Sequence, residues 1–188
     1  MRKVIFFIHM SLDGFAAGPN GEMDWIVYDE DMQKYAHSFH ATTDAAIYGR
    51  VTYEMMASYW PTVLSNPSSD PGDRSHAEWL EDATKIVVSR TLDSTDWKGT
   101  VVIGENMADE IQKLKQQPGK DMWLLGSPTL ARSFAQHGLI DDYRVSVNPV
   151  ILGKGLPVFA GLEQRAPLTL VDSQRFDAGT VVMRYVPA

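Results

Sequence analysis

Short runs of apolar residues, many of them β-branched or aromatic, recur along the chain and are typical of buried β-strands. Amphipathic stretches, with apolar residues three or four positions apart, lie between several of these runs and indicate helices. Two alternating segments at the end, 168–176 and 180–186, predict a β-hairpin. The strand-like runs cover 3–10, 45–48, 85–90, 100–103, 122–125 and 142–148, and the helical stretches cover 29–39, a segment that begins near 50, 106–116 and 128–136.

This alternation of strands and helices predicts an α/β protein with a mostly parallel sheet and an antiparallel end. The remaining segments read as loops. Residues 11–21 and 149–159 are punctuated by glycine, and 60–76 is rich in Pro, Ser, Asn, Asp and Gly. We therefore predict that 60–76 is the longest loop, a mobile lid or an insertion, with one or two helical turns over 77–82.

Composition narrows the class of protein. A chain of 188 residues predicts one domain over 1–188 with a full hydrophobic core. The net charge of −7 argues against nucleic acid as the main partner. The chain has no cysteine, which excludes disulfides and thiolate chemistry. The apolar run near the N-terminus is too short to span a membrane, so we expect a cytoplasmic protein that binds neither membrane nor nucleic acid.

The five histidines do not follow a known metal-binding spacing. His37 and His40 are three positions apart and share a helix face, but no carboxylate completes a metal triad. We therefore predict no metal site, and we interpret these two histidines as part of a solvated helix face.

Three of the predicted strands end in a similar way, with small or hydroxyl residues and, twice, an arginine. Because the carboxyl ends of parallel strands open on one edge, these ends are expected to face one ligand. Free N–H groups at helix N-termini and guanidinium forks both suit phosphate oxygens. Ser127 is a good N-cap, and Pro128 suits the first helical position. The three ends are Gly49, Arg50 and Thr52; Ser89 and Arg90; and Gly126, Ser127, Pro128 and Thr129.

Such a groove fits a ligand with several phosphates, and NADPH has the right number. Neither GxGxxG nor GxxxxGK[ST] is present, so the phosphate site is of neither the Rossmann nor the P-loop type. Each turn alone is equally compatible with an ordinary strand-to-helix connection, and each arginine with a surface ion pair.

Several segments resemble known reductases. Gly49-Arg50-x-Thr52-x-Glu54, the strand 86–90 and Leu124-Leu125-Gly126-Ser127 are similar to segments of dihydrofolate reductases. More closely, nearly the whole chain resembles the stand-alone members of the bacterial deaminase–reductase C-terminal family of riboflavin biosynthesis. The segments that carry this likeness are 11–15, 23–25, 139–142 and 149–155.

The resemblance implies a three-layer α-β-α fold of the dihydrofolate-reductase type and NADPH as cofactor. Arg50 and Arg90, with Ser89, would lie near the 2′-phosphate. The residues beside the pyrophosphate would be Thr52, Gly126, Ser127, Pro128 and Thr129, and Gly49 would also belong to the cofactor site. Ala16 and Ala17 would flank the nicotinamide, and Gly104 would lie on the adenine side. Ser127 stands where the family has the second of two paired glycines.

The resemblance also places a carboxylate on the first helix, counted from Trp25, where it would assist protonation of the substrate. The count reaches Glu30, with Asp29 and Asp31 beside it. The alternative is that this acidic triplet simply interacts with the helix dipole.

Four further residues are candidates for binding the substrate: Asp13, Trp25, Ser146 and Lys154. Ser146 falls where the family supports the catalytic carboxylate, and Lys154 could meet a phosphate or ribose. The alternatives are an inward-facing strand serine and a solvated loop lysine. Trp25 lies near the expected mouth of the site, where an aromatic ring can stack on a heterocycle.

The sequence thus predicts an NADPH-dependent reductase that acts on a small heterocycle. The substrate would be of the pteridine or ribosylaminopyrimidine type, as in 5-amino-6-(5-phosphoribosylamino)uracil reductase. Residues 54–60 replace the A-D-D-P-type segment of the riboflavin reductases. Two alternatives remain: a non-catalytic nucleotide- or folate-binding module of the same fold, and a pure interaction protein. A homodimer through the terminal hairpin and 149–159 is expected because edge strands invite pairing.

Overall fold

The computed structural model describes residues 1–92 and 94–188. Its strands, in chain order, are β1 (Val4–Ser11), β2 (Phe15–Ala17), β3 (Thr43–Gly49), β4 (Thr84–Val88), β5 (Thr100–Ile103), β6 (Asp121–Leu125), β7 (Asp142–Asn148), β8 (Leu156–Pro157), β9 (Leu168–Arg175) and β10 (Val181–Pro187). Its helices are α1 (Glu30–His37), α2 (Arg50–Ser65), α3 (Pro71–Asp82), α4 (Met107–Gln116) and α5 (Pro128–Gln136), and a 3₁₀ turn covers Ser38–Ala41.

The main sheet has the order β5-β4-β3-β6-β1-β7-β10-β9. The first six strands in this order, from β5 to β7, are all parallel to one another. Strand β10 pairs antiparallel with both β7 and β9. The predicted mostly parallel sheet with an antiparallel C-terminal hairpin is therefore confirmed. From β1 the chain moves to β3, β4 and β5 on one side of the sheet, and it then returns through β6 to β7 on the other side. Open α/β sheets bind ligands where the winding reverses in this way.

Helices cover both faces of the sheet, because alternate side chains of β1 pack in two different clusters. Phe6 and Ile8 pack with Ile111 of α4 and Phe134 of α5. Phe7, which points to the other face, packs in the cluster that includes α1, α2 and α3. The predicted three layers are therefore present. None of the described helices is long and apolar enough to span a bilayer.

The prediction of one long loop over 60–76 was wrong. Helix α2 continues through Pro61 to Ser65, and α3 begins at Pro71. Asp70 caps α3 by accepting hydrogen bonds from the N–H groups of Gly72 (2.8 Å) and Asp73 (3.3 Å). The segment is polar, but it contains Asp70 followed by Pro71. An aspartate N-cap followed by proline is a common helix start.

The loops predicted over 11–21 and 149–159 contain the short antiparallel pair β2–β8. Gly155 allows this pairing, because a Cβ at that position would lie only 2.1 Å from the carbonyl oxygen of Ala17. The Gly-Lys-Gly turn is therefore needed for the backbone of these two strands to approach each other.

Two aspartates in the segment 139–142 hold three parts of the fold together. Asp141 accepts hydrogen bonds from the buried Lys115 ammonium (2.8 Å) and from the N–H of Val4 (2.8 Å). Asp142, at the start of β7, pairs with Arg144 (3.2 Å) and Arg184 (2.8 Å). These contacts join α4 to β1 and β7 to β10.

The prediction that His37 and His40 lie on a solvated helix face was also wrong. Helix α3 packs over the end of α1, and it brings His76, which is only 9% exposed, against both residues. His40 also stacks on Trp79 of α3 at 5.0 Å. The three histidines therefore form a cluster between α1, the 3₁₀ turn and α3.

Candidate functional site

A cavity of about 620 Å³ opens at the carboxyl edge of the sheet, between the N-termini of α2 and α5 and the end of β4. Nine of the twelve residues predicted to bind the cofactor line it together: Gly49, Arg50, Thr52, Ser89, Arg90, Gly104, Ser127, Pro128 and Thr129. Met107, Leu130 and Leu156 add apolar surface. The three strand ends singled out in the sequence thus meet around one groove, which we call the phosphate groove.

Ser127 joins the two helix N-termini of this groove. Its hydroxyl accepts a hydrogen bond from the N–H of Gly49 (3.0 Å) and donates one to Thr52 (2.8 Å). Ser127 stands at the N-cap position of α5, but its side chain makes no capping bond there. The prediction that this side chain caps its own helix was therefore wrong.

The backbone explains this arrangement. Ser127 has φ +51° and ψ +62°, in the left-handed region, and Gly126 before it has φ +54°. This conformation turns the serine side chain away from α5 and toward α2. The first N–H groups of α5 have no partner within the helix, so they are available to an anion together with the dipole of the helix.

Two arginines supply positive charge to the phosphate groove. Arg50 and Arg90 both line it and are both exposed. The Arg50 guanidinium also contacts Glu54, one turn further along α2, at 2.9 Å. Because this pair is exposed, it holds Arg50 only weakly, and a phosphate in the groove would compete with Glu54 for the guanidinium.

The other three predicted cofactor residues lie outside the lining of this cavity. Ala16 and Ala17 are buried in β2. Gly126 donates its N–H to the carbonyl of Phe7 at 3.2 Å, which ties the end of β6 to β1.

The acidic triplet at the start of α1 makes local contacts. Asp29 is the N-cap and accepts a hydrogen bond from the N–H of Met32 (2.9 Å). The side chains of Glu30 and Asp31 are 80% and 59% exposed, and both lie near Lys34, at 2.8 Å and 3.6 Å. The position of the triplet at the helix N-terminus is also that of the alternative interpretation, in which the acidic residues interact with the helix dipole, and the contacts with Lys34 add ion pairs within the helix.

The candidate substrate residues are not all in one place. Asp13 accepts hydrogen bonds from the hydroxyl of Ser11 (2.7 Å) and the N–H groups of Leu152 (3.1 Å) and Gly153 (2.7 Å). Its carboxylate thereby fastens the loop before β8 to the end of β1, and these bonds lower its pKa. Lys154 is exposed in that same loop, and Trp25 donates its indole N–H to the carbonyl of Glu22 at 3.0 Å.

Ser146 is fully buried on β7, where it lies beside a residue that sequence reasoning did not select for this site. The imidazole Nδ1 of His9, on β1, is 3.1 Å from the Ser146 hydroxyl. The ring of His9 also packs against Tyr28 at 5.8 Å. A polar residue at the end of an apolar strand was the only sequence signal for His9.

Burial lowers the pKa of His9 to about 4, so its imidazole is neutral at pH 7. In the unfolded chain a histidine takes up its proton near pH 6.5. The unfolded state therefore binds more protons between these two values, and stability is lost as the pH falls from about 6.5 toward 4.

We expect the neutral state of His9 to lower the free energy of unfolding by about 2–3 kcal/mol when the pH falls from 7.5 to 4.5. Urea unfolding of the wild type and of His9→Gln at pH 7.5 and 4.5 measures it. Wild type should lose that much more stability than the variant on acidification, and equal losses in the two proteins would show that His9 is not held neutral by the fold.

A second cavity, of about 650 Å³, lies beside α2 between Tyr53, Glu54 and Trp97. It is lined by the acidic residues Glu81 and Asp96 as well, with Lys98 as its cationic residue among the described lining. This surface is less suited to phosphates than the groove with two guanidiniums and two helix N-termini, so we place the candidate site at the phosphate groove.

Comparison with known proteins agrees with this architecture. The uncharacterized protein YyaP of Bacillus subtilis (strain 168) is 36% identical over 186 residues, which cover 98% of this chain and 94% of YyaP. The crystal structure of a putative riboflavin biosynthesis protein from Shewanella sp. PV-4 superposes with a TM-score of 0.76 at 21% identity, and covers 99% of both chains.

The Enterococcus faecalis dihydrofolate reductase, in a complex with NADP(H), superposes with a TM-score of 0.65 at 14% identity over 98% of this chain and 96% of the enzyme. At such low identity these two structures establish the fold, which is of the dihydrofolate-reductase type. The family model described as the RibD C-terminal domain matches residues 2–182. With that match over almost its whole length, this chain belongs to the RibD C-terminal domain family.

Proposed function

We propose that this protein is an NADPH-dependent reductase that transfers a hydride to a small heterocyclic substrate of the pteridine or ribosylaminopyrimidine type. One observation supports this most: the phosphate groove brings two helix N-termini and two arginines around a single cavity. Related reductases of this family and fold make an oxidoreductase the expected class.

The groove suits the phosphates of NADPH in two parts. The N-termini of α2 and α5, joined by Ser127, would bind the pyrophosphate through backbone N–H groups. Arg50 and Arg90 would bind the 2′-phosphate, since planar guanidinium groups match phosphate oxygens. When bound, the cofactor supplies the hydride, and the protein contributes position and electrostatics.

The end of β1 offers a place for the nicotinamide. Strand β6 ends at Leu125, opposite Phe7, whereas β1 continues beside β7 to Ser11. The carbonyl of Phe7 faces β6, where it accepts the N–H of Gly126. Since alternate residues of a strand direct their backbone groups to the same side, His9 presents its N–H and C=O to the space beyond β6.

On the substrate side, His9 and Ser146 form the polar floor between β1 and β7. Because the pKa of His9 is about 4, its imidazole would act at pH 7 as a neutral hydrogen-bonding group that orients the substrate. Asn148 accepts the N–H of Val27 at 2.8 Å, which anchors the segment before α1 over this floor.

The proposal is tested by titrating the protein with NADPH and then following the loss of NADPH absorbance with dihydropterins and ribosylaminopyrimidines. We expect saturable NADPH binding and oxidation with at least one compound of these two classes. Absence of NADPH binding at millimolar concentration would contradict the proposal.

A second function, a nucleotide-binding module without catalysis, is favoured by the exposed, Lys34-paired position of Glu30 and Asp31. The same experiment separates the two functions. Such a module would bind NADPH but would leave it unoxidised with every compound of the panel.

We also propose that the chain forms a homodimer through β9. Every residue of this edge strand is exposed, including Leu168, Leu170 and Val171, and an open apolar edge favours pairing with another strand. Light scattering should give twice the 21.0 kDa chain mass, and Leu170→Lys should shift the protein toward the monomer. A monomeric wild type would contradict this proposal.

A further inference from the structure

The histidine cluster described above lies apart from the phosphate groove. His37 is in the last turn of α1, His40 is in the 3₁₀ turn that follows, and His76 is on α3. The cluster also contacts Trp79, which donates its indole N–H to the carbonyl of Thr43 at the start of β3. The groove lies at the opposite, carboxyl end of β3, so the two sites are separate.

The ligand atoms of these histidines converge. One ring nitrogen of each residue lies within 4.8 Å of the ring nitrogens of the other two. The Nε2 of His40 and the Nδ1 of His76 are 2.8 Å apart, the distance of a hydrogen bond in which one proton is shared. Nitrogens around a tetrahedral zinc ion are about 3.3 Å apart, given bonds of about 2.0–2.1 Å. Small side-chain rotations would therefore bring the three atoms to coordination distance.

We propose that His37, His40 and His76 bind a divalent transition-metal ion, with zinc the expected one. Three imidazoles suit zinc, copper, nickel and cobalt better than magnesium or calcium, which prefer oxygen ligands. A water molecule would complete the coordination, as in other three-histidine sites. This site is independent of the proposed reductase function.

The surroundings favour the coordinating form of the ligands. Burial lowers the pKa of His40 to about 4 and that of His76 to about 3, so both present neutral rings at pH 7. If the proton between the Nε2 of His40 and the Nδ1 of His76 moves to an outer ring nitrogen, both of these atoms have a free lone pair, and both can coordinate an ion. Burial also lowers the pKa of His37, and the negative charges of Asp73 and Asp70, which oppose that shift, lie close enough to favour a cation at the cluster.

The position of the site indicates its role. The metal would join the end of α1 to α3, two elements that are far apart in the chain but adjacent in the fold. A metal bound only by the folded state adds its binding free energy to stability. We therefore infer that the ion stabilises the packing of α1 and α3.

The test uses the full-length protein after removal of metals with EDTA. Zinc affinity is measured by competition with a chromophoric chelator, and cobalt is added to record the visible absorption of a tetrahedral site. We expect one zinc per chain. The melting temperature should rise by about 5–10 °C at a zinc concentration near one hundred times the dissociation constant.

His37→Ala is the decisive variant, because His37 is partly exposed, whereas His76 is buried, and because His76 keeps its contacts with His40 and Trp79 in the variant. It should weaken zinc binding by more than about 100-fold. Loss of a residue that only hydrogen-bonds to a metal ligand has a smaller effect, of about 10–100-fold. The matched control is His137→Ala, which removes an exposed histidine on the other side of the sheet and should leave zinc affinity unchanged. Absence of stoichiometric zinc or cobalt binding, or equal binding by wild type and His37→Ala, would overturn the proposal.

Discussion

Replacing both Arg50 and Arg90 with alanine is expected to weaken NADPH binding by about 100-fold or more. Each replacement would remove a charge-assisted contact with the 2′-phosphate that is worth about 1.5–3 kcal/mol. Both residues line the phosphate groove, and both are exposed enough to receive a phosphate. NADH lacks the 2′-phosphate, so its affinity should change little. Fluorescence titration of the double variant with each cofactor measures the difference.

Arg175→Ala is the matched control, because this arginine lies on β9, away from the groove. A further variant sharpens the assignment. Glu54→Gln removes the carboxylate that holds Arg50, and we expect it to tighten NADPH binding by a few-fold. If the double variant loses NADPH and NADH affinity equally, the two arginines do not bind the 2′-phosphate.

The second large effect concerns stability. Asp141→Leu is expected to lower the free energy of unfolding by about 3–5 kcal/mol, because it leaves the Lys115 ammonium as a buried charge without its carboxylate partner. Lys115 is 2% exposed, and the carbonyl of Leu139 at 3.2 Å would be its remaining hydrogen-bond acceptor among the described residues. The N–H of Val4 would lose its acceptor as well. Chemical denaturation measures the change.

The double variant Lys115→Met/Asp141→Leu separates the two causes. Replacing a buried ion pair with apolar residues of similar size is often close to neutral, so the double variant should recover much of the loss. If it is as unstable as Asp141→Leu alone, the lost hydrogen bond of Val4, and not the unpaired ammonium, accounts for the effect.

Local patterns were sufficient to predict most of the sheet. Most of the apolar runs became strands that helices bury on both faces, although Val101 and Val102 of the edge strand β5 stay exposed. The strand ends could be placed together because parallel strands open on one edge. Segment 60–76 was misread, since its polar residues concealed the packing of α2 on α3. Helix α2 in fact continues through Pro61.

The remaining differences depend on contacts between distant segments. Nothing in the local sequence shows that the Ser127 hydroxyl reaches Gly49, 78 residues away, since that depends on the left-handed backbone at Ser127. His76 joins His40 across 36 residues, and His9 meets Ser146 across 137. Such contacts become visible only when the topology is known.

The Ser127 hydroxyl has one more consequence. Because it fixes the N-terminus of α2 to that of α5, the spacing between the two phosphate-binding helix ends is set before any cofactor arrives. Such a preorganised groove loses little conformational entropy on binding. Dinucleotide association should therefore be fast and close to rigid-body, and the discrimination among nucleotides should reside in the exposed guanidinium groups of Arg50 and Arg90.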